Sequence, residues 1–493
     1  MRSVSRGGGS IVMATLRTVR TGVGGLVILV LVGLVLPAYG QETKSKRVVL
    51  TLRDAVKIAV ARSPEVKSTA FDVEALVGRK QQADAARFPQ ISSLSAIGPS
   101  PEAERRDPSG LSKELKSLNV REGAVNSIFG RLDFFLIQPI YTFGLISNLR
   151  AAAEHGVKAQ KAGVDKTAAE VALRVREAYY GLLLFKELKT LLGDLNEQLL
   201  KATDRLEILL EGGYVAEQDL FKLRTFQGEL EKNLNLADRG IAVAKEALRI
   251  WTGLDPNTDV EAADEKLTPD LRKIPPVEIF IQEAREKRPE FVQLREGIRA
   301  KKALLEAERS RYWPTVFFGI QGSVAYAPNR DRILENAFVQ DPLRHAFVGP
   351  VLGLKYDLDF GITAGKIREA QAEVAKLEAL KSLASEGIPL QVQKTYLELR
   401  EARQNVRALD RAFESAKKWL VTALANFDVG IGEAKDVADA VEAMAKTRAE
   451  YFEAAFNSQM GLARLDNAAG RDVEEIRALV AESRESPIAE VRR

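Results

Sequence analysis

Cysteine is absent from all 493 residues. That absence excludes disulfides, thiolate metal sites and lipid attachment through an N-terminal cysteine. Histidine occurs only at His155 and His345, too few and too far apart for a zinc motif with two histidines one helical turn apart. P-loop, nucleophile-elbow and dinucleotide signatures are missing as well, so the chain does not read as an enzyme and no cofactor is expected. Beyond residue 40 no apolar run reaches the ~20 residues that a membrane helix needs. If the chain enters a membrane, it does so with strands.

The formal net charge is small, +4, and all of it resides in the first 40 residues. Residues 1–40 read as an export signal: Arg17 and Arg20 form a basic region, Leu26–Leu36 an apolar core, and Ala38-Tyr39-Gly40 a small-residue cleavage site. Their removal takes away Arg2, Arg6, Arg17 and Arg20 and no acid. The 72 basic residues then fall to 68, equal to the 68 acids. A neutral mature chain carries no broad basic field and predicts no nucleic-acid partner.

What the sequence has in abundance is self-similarity. Ala61–Val66 resembles Glu286–Phe291, and Ala85–Ile91 resembles the segment around Pro314, both at an offset of 225. Further on the offset is 217. There Thr142–Leu145 matches Asp359–Ile362, Tyr179 matches Tyr396, Gly213 matches Gly430, and Asp219 matches Asp436. This order predicts repeat 1 over 41–253, a linker over 254–276, repeat 2 over 277–470 and a charged tail over 471–493.

Each repeat has one plan. A helical pattern (Leu52–Arg87; Val277–Tyr312) ends in an aromatic-proline pair. Two strand-like runs follow (Gln90–Ile97 and Ile128–Ile137; Thr315–Tyr326 and Phe347–Leu358), joined by polar segments, Pro99–Asn126 and Ala327–His345, that read as exposed loops. A Phe-Gly pair then opens a very long helix, which a glycine turn reverses. From Gly144 to Gly213, as from Gly361 to Gly430, the pattern would span on the order of 100 Å. Inside the first, Val171, Val175, Ala178, Leu182, Phe185, Leu188, Leu192, Leu195 and Leu199 step by fours and threes, as a coiled-coil seam does. Gly387 and Pro389 predict a kink or break in the second.

Two strands per repeat give four per chain, and four strands cannot close a membrane barrel. Strands must then be pooled between copies. Three copies give twelve strands and room for a lumen.

The order of LTLRDAVKIAVARSPEV, ARFPQI, QPIYTFG, a long helix and GGYVAEQDL, then the same plan again, resembles the TolC-like outer membrane efflux proteins. The likeness runs from about Leu50 to Asp472. It implies an α+β membrane channel: a long α-helical coiled-coil barrel continuing a transmembrane β-barrel of four strands per chain, twelve in a homotrimer. It also implies residence in the bacterial outer membrane with a periplasmic extension. The expected role is the exit duct of tripartite efflux or type I secretion. Its partners would be outer membrane lipid, a periplasmic adaptor protein and an inner membrane pump of RND, ABC or MFS type.

The resemblance also gives roles to residues. Asp436 and Asp439, three apart after the second hairpin turn, correspond to paired acidic rings at the periplasmic constriction. First-turn acids also complement a helix dipole whatever their role. The turns Gly212, Gly213, Tyr214, Val215 and Gly430, Ile431, Gly432 correspond to adaptor-docking tips. Asp219 and Phe427 would make contacts between hairpins. Position 222 is Lys, so the first hairpin lacks the second acid. The aromatics Phe134, Phe135, Tyr141, Phe143, Trp313, Phe317, Phe318, Tyr326, Tyr356 and Phe360 cluster around the strands, as interfacial girdles do. The rival reading is a soluble periplasmic coiled-coil adaptor or scaffold whose strands form a small soluble domain. Outer-membrane fractionation separates the two.

Overall fold

The computed structural model describes residues 46–105, 118–212, 216–328, 330, 341–429 and 431–485. The export segment 1–40 and the turn residues Gly213, Tyr214, Val215 and Gly430 lie outside them.

The chain runs β1 (Lys46–Leu50), α1 (Leu52–Arg62), α2 (Pro64–Ala85), β2 (Gln90–Arg105), β3 (Leu118–Tyr141), α3 (Leu145–Glu211) and α4 (Glu217–Thr252). It continues with β4 (Thr258–Ala262), α5 (Val277–Lys287), α6 (Pro289–Ser310), β5 (Thr315–Tyr326), β6 (His345–Lys355), α7 (Ile362–Asp428), α8 (Ala434–Ala469) and α9 (Arg471–Glu485). Helix lengths recur in pairs: α1 and α5 have 11 residues, α2 and α6 22, α3 and α7 67, α4 and α8 36.

Each opening helical pattern divides in two at a proline. Pro64 and Pro289 occupy first-turn positions, where a missing N–H costs nothing. Proline disfavours helical ψ in the residue before it, and Ser63 and Arg288 stand at ψ 126° and 130°. The long hairpins are bounded by glycines in backbone conformations that side chains resist: Gly144 and Gly361 open α3 and α7, and Gly253 and Gly470 close α4 and α8.

The seam on α3 is where packing concentrates. Val171, Val175 and Leu182 are fully buried, together with Val56, Ala59, Leu248 and Val260 from three other elements. On the other hairpin, Phe280 and Ala284 of α5 pack with Val392 and Leu399 of α7 and Leu465 of α8. Toward the end of the second hairpin Leu420, Ala423 and Ala440 form a small cluster.

The structure corrects several expectations. Pro389 lies inside α7, yet the helix runs unbroken from Ile362 to Asp428. Ile388 and Val392 on either side are locked into the α5–α8 core, and that packing outweighs the one backbone bond proline cannot make. The tail is not merely a charged extension. Val473, Ile476 and Leu479 of α9 enter the α3 core, and Arg477 pairs with Asp165 at 2.5 Å. The linker 254–276 contains β4, which pairs in parallel with β1, Val48 opposite Val260. Its later part is a strap. Leu267 N donates to Glu187 of α3, Arg403 of α7 to Asp270, and Ser458 and Gln459 of α8 to Asp270 O and Thr268 O.

The strands are also longer than read. β2 and β3 extend into Pro99–Asn126, paired from Gln90↔Ile137 to Arg105↔Leu118. Prolines 99 and 101 fit there because β2 is an edge strand, where an N–H facing away from β3 is dispensable. The loop Ala327–His345 is not wholly exposed either. Arg330 and Asp341 are buried as an ion pair at 2.8 Å, and Arg330 also donates to Pro101 O at 2.8 Å.

Candidate functional site

The four strands form one antiparallel sheet in the order β2-β3-β5-β6, and the ladder register assigns every side chain to a face. One face carries Ile91, Ile97, Leu132, Val324, Val348 and Leu352, all exposed. The opposite face receives Arg131, Asp133, His345 and Lys355. On that face Ser323 Oγ donates to Asp133 Oδ1 at 2.5 Å and lies 2.7 Å from His345 Nε2, while Arg131 pairs with Asp133 at 2.8 Å. The serine stands between the acid and the histidine, so the trio has no nucleophile-activating order.

Two of the glycines in β5 and β6, Gly322 and Gly353, are covered by rings directly opposite. Phe134 lies over Gly322 and Phe317 over Gly353, so close that a Cβ on either glycine would sit 2.1 Å and 2.6 Å from the ring. Phe134 and Phe135 point to opposite faces, so the sequence-read aromatic girdle divides between the two. Phe143 leaves the sheet altogether. It stacks on Trp313 at 5.3 Å and meets Tyr141 edge-on at 4.6 Å.

At the far ends of the helices, α8 begins after Glu433, and Asp436 and Asp439 both lie exposed in its first two turns. Val437, Ala440, Val441 and Met444 form the α8 face that packs on α7. Asp439 turns the other way and borders a groove of about 620 Å3 between α4 and α8, with Phe221, Phe226, Lys222, Lys435 and Glu442. Asp436 is outside that lining, so the two carboxylates flank the packed face without sharing the groove. Within one chain they make no ring.

The turn itself is built on Asn426, whose carbonyl accepts from Ile431 N at 2.9 Å and Gly432 N at 3.0 Å. A Cβ on Gly432 would lie 3.0 Å from Phe427 N, so only glycine fits this approach without displacing backbone. Ile431 is left 81% exposed, an apolar side chain at the extremity of the hairpin. Gly212 caps α3 and is exposed. Asp219 lies in the first turn of α4, and Phe427 is half-buried in the last turn of α7.

Higher on the helices, α3 meets α6 through His155 and Glu296, 2.8 Å apart, with Arg299 also on the nearly buried Glu296. Burial pushes the Glu296 carboxyl up. The His155 hydrogen bond and the Arg299 charge outweigh it, leaving the group below its ordinary value. Among the described residues no helix is long and apolar enough to cross a membrane, and no cluster of side chains could hold a metal ion.

Residues 280–471 match the outer membrane efflux protein family. The TolC-like resemblance read from the sequence is thereby borne out. In structure the chain is similar to a membrane protein from Pseudomonas aeruginosa, with TM-score 0.70 and 17% identity over 87% of this chain and 95% of that one. It is similar to the CmeC outer membrane channel of Campylobacter jejuni, with TM-score 0.69 and 13% identity over 87% and 89%. It is also similar to the outer membrane protein VceC of Vibrio cholerae, with TM-score 0.68 and 15% identity over 85% and 96%. No curated protein matches the sequence. At these identities the likeness is one of fold: a helical barrel element with attached strands. The matched family consists of outer membrane efflux proteins and not of enzymes.

Two features of the chain were invisible in its sequence. The Asp133–Ser323–His345 cluster joins positions 190 and 22 residues apart, and no local pattern marks it. Lys222 and Lys435 beside Asp439 were legible only as helix-surface charges.

Proposed function

We propose that three copies of this chain close a twelve-stranded barrel in the bacterial outer membrane, and that the hairpins continue it as a periplasmic tunnel. The observation that carries this reading is the sheet. One face exposes Ile91, Ile97, Leu132, Val324, Val348 and Leu352, Arg131, Asp133, His345 and Lys355 lie on the other, and the outer edges of β2 and β6 have no strand partner in the single chain. Unpaired edges and an exposed apolar face are tolerable in lipid only if the sheet closes. The same apolar face disfavours the soluble adaptor reading.

The tunnel is a passive exit duct for drugs or secreted proteins, coupled to a periplasmic adaptor and an inner membrane pump. Its periplasmic end narrows at the start of α8, where Asp436 and Asp439 would form two rings of three carboxylates. Such rings concentrate negative potential and favour cations. The turns at Gly212 and at Ile431–Gly432 form the adaptor-docking tips, with Ile431 as an apolar contact. Asp219 and Phe427 lie where neighbouring hairpins approach. Reconstitution into planar bilayers tests the reading. Discrete, ohmic, cation-preferring conductance from an outer-membrane oligomer supports it. A soluble periplasmic protein without conductance overturns it.

A further inference from the structure

At the end of the sheet far from the helices, His345 opens β6 with both ring nitrogens in contact. Nδ1 lies 2.8 Å from the main-chain oxygen of Asp341, and Nε2 lies 2.7 Å from Ser323 Oγ. The ring also stacks on Phe347 at 5.8 Å.

The direction of each bond follows from what the partner can do. A carbonyl oxygen only accepts, so Nδ1 carries a proton. Asp133 is held by Arg131 at 2.8 Å and accepts from Ser323 Oγ at 2.5 Å, a short bond of the kind an ionised carboxylate makes. The one hydroxyl proton of Ser323 is therefore committed to Asp133. What Ser323 Oγ offers His345 is a lone pair, so Nε2 carries a proton as well. A ring that donates from both nitrogens is an imidazolium. A neutral ring forfeits a contact in either tautomer. It turns a bare Nδ1 toward the Asp341 carbonyl, or it takes the serine proton away from Asp133. Ser323 is 3% exposed, so little water reaches the place of the lost bond.

These bonds tie residues 341–345 to the sheet. The buried Asp341 carboxylate pairs with the buried Arg330 at 2.8 Å, and Arg330 donates to Pro101 O of β2 at 2.8 Å. Leu343 N donates to Asp341 Oδ1 at 2.9 Å. Arg344 donates to Ala327 O at 3.1 Å and lies over the Tyr326 ring. The charges around the His345 ring are thus Asp133 and Arg131 from β3, and Arg330, Asp341 and Arg344 from the β5–β6 connection; β5 adds Ser323 and Tyr326. Among these side-chain types, histidine is the one that ordinarily changes charge between about pH 5 and 8.

We propose that His345 is a proton-operated latch. As an imidazolium it fastens residues 341–345 to Ser323 and Asp133 on the charged face of the sheet. When a ring proton leaves to water, one of the two contacts goes with it and the segment loosens. In the barrel reading above, on which the functional consequence rests, this face lines the lumen at its outer mouth. Acid outside the cell then tightens the lining of the mouth, and alkali loosens it.

The chain has two histidines, so ring-15N-labelled histidine gives two sets of signals, and His345→Gln identifies one set by its loss. The labelled full chain is titrated in detergent from about pH 5 to about pH 8. Both His345 nitrogens should be protonated at the acid end, and one should lose its proton as pH rises. Ser323→Ala and, separately, Asp133→Asn should bring that loss at lower pH without moving the His155 signals. In planar bilayers the wild-type conductance should differ between the two ends of this range when pH is changed on the barrel side. His345→Gln and Ser323→Ala should each abolish the difference, so the conclusion does not hang on one variant. A His345 ring that keeps one protonation state throughout overturns the proposal. So does a wild-type conductance indifferent to pH, or a pH response that both variants keep. A protein that does not conduct at all removes the channel reading instead, and the ring spectrum then decides the latch by itself.

Discussion

Tyr179 of α3 donates a 2.7 Å hydrogen bond to Asp264, and the Asp264 amide returns one of 3.3 Å to the same hydroxyl. The tyrosine ring is fully buried, and burial together with the Asp264 bond pushes its hydroxyl pKa up. This pair fastens the start of the strap that crosses both hairpins. Tyr179→Phe removes the donor, and the exposed Asp264 turns to water instead. The expected loss is about 0.5–1.5 kcal/mol, read as a lower denaturation midpoint in detergent with unchanged helix content.

Two glycines in the first hairpin should respond oppositely to alanine. A Cβ on Gly240 would lie 2.4 Å from the Phe185 ring, whereas nothing stands within 4 Å of one on Gly193. Gly240→Ala forces the ring aside and costs about 1–3 kcal/mol. Gly193→Ala stabilises by up to about 1 kcal/mol through helix propensity. Thermal melts of the two variants side by side decide this.

Ending the chain after Gly470 removes α9 and uncovers the core that Val473, Ile476 and Leu479 enter. Three buried aliphatic side chains amount to several kcal/mol at about 1.5–3 each. The truncated protein should lose heat resistance and accumulate poorly in the outer membrane. Arg477→Ala breaks only the exposed-side pair with Asp165 and should cost at most about 1 kcal/mol. Equal behaviour of the two variants would show that α9 contributes charge and not packing.

Asp84 links α2 to α3. The hydrogen bond from Lys80 and then that from Arg150 hold its carboxyl at about 2. A depressed folded value means the contact contributes fully above the unfolded value of about 3.9 and is lost as pH falls through about 2. Asp84→Asn should flatten the acid limb of the stability profile in that window and leave the alkaline limb unchanged. Because the site is exposed, high salt should reduce the difference.

At the proposed constriction, Asp436→Asn with Asp439→Asn should lower cation-over-anion preference and weaken block by multivalent cations, with protein level and oligomer mass unchanged. Asp439 shares its groove with Lys222 and Lys435, so Asp436→Asn alone is expected to have the larger effect. Unchanged selectivity in the double variant sinks the gate assignment.

How much of this was written in the residues varies by scale. The strand at Thr315–Tyr326 has the ends read for it, because its β-branched and aromatic residues are bounded by Pro314 and by the Ala327-Pro328 turn. The long helix after Gly361 was legible in its start and length. Its continuity through Pro389 was not, since that depends on α5 and α8 clamping Ile388 and Val392. The extension of β2 and β3 through Pro99–Asn126 was hidden because polar, proline-bearing strands look like loops until a ladder satisfies them. The amphipathic tail was read only as charge, although Val473, Ile476 and Leu479 carry helical spacing. Of the candidate gate, sequence placed Asp436 and Asp439 on the first turns of a helix. It could not show that only Asp439 faces the groove.

The sequence by itself determined the elements and their order. Hydrophobic spacing sets the helices, while glycine and proline set their ends. The absence of cysteine and of any long apolar run after residue 40 limits how the chain can be held together and how it can meet lipid. The tertiary structure decided faces and partners. Strand register assigns Ile91, Ile97, Leu132, Val324, Val348 and Leu352 to one side of the sheet and Arg131, Asp133, His345 and Lys355 to the other. A shift of one residue would invert that assignment, and nothing local in the sequence forbids the shift. Only the packed chain shows that Phe143 of the first Phe-Gly junction has an aromatic partner in Trp313, whereas Phe360 of the second is exposed.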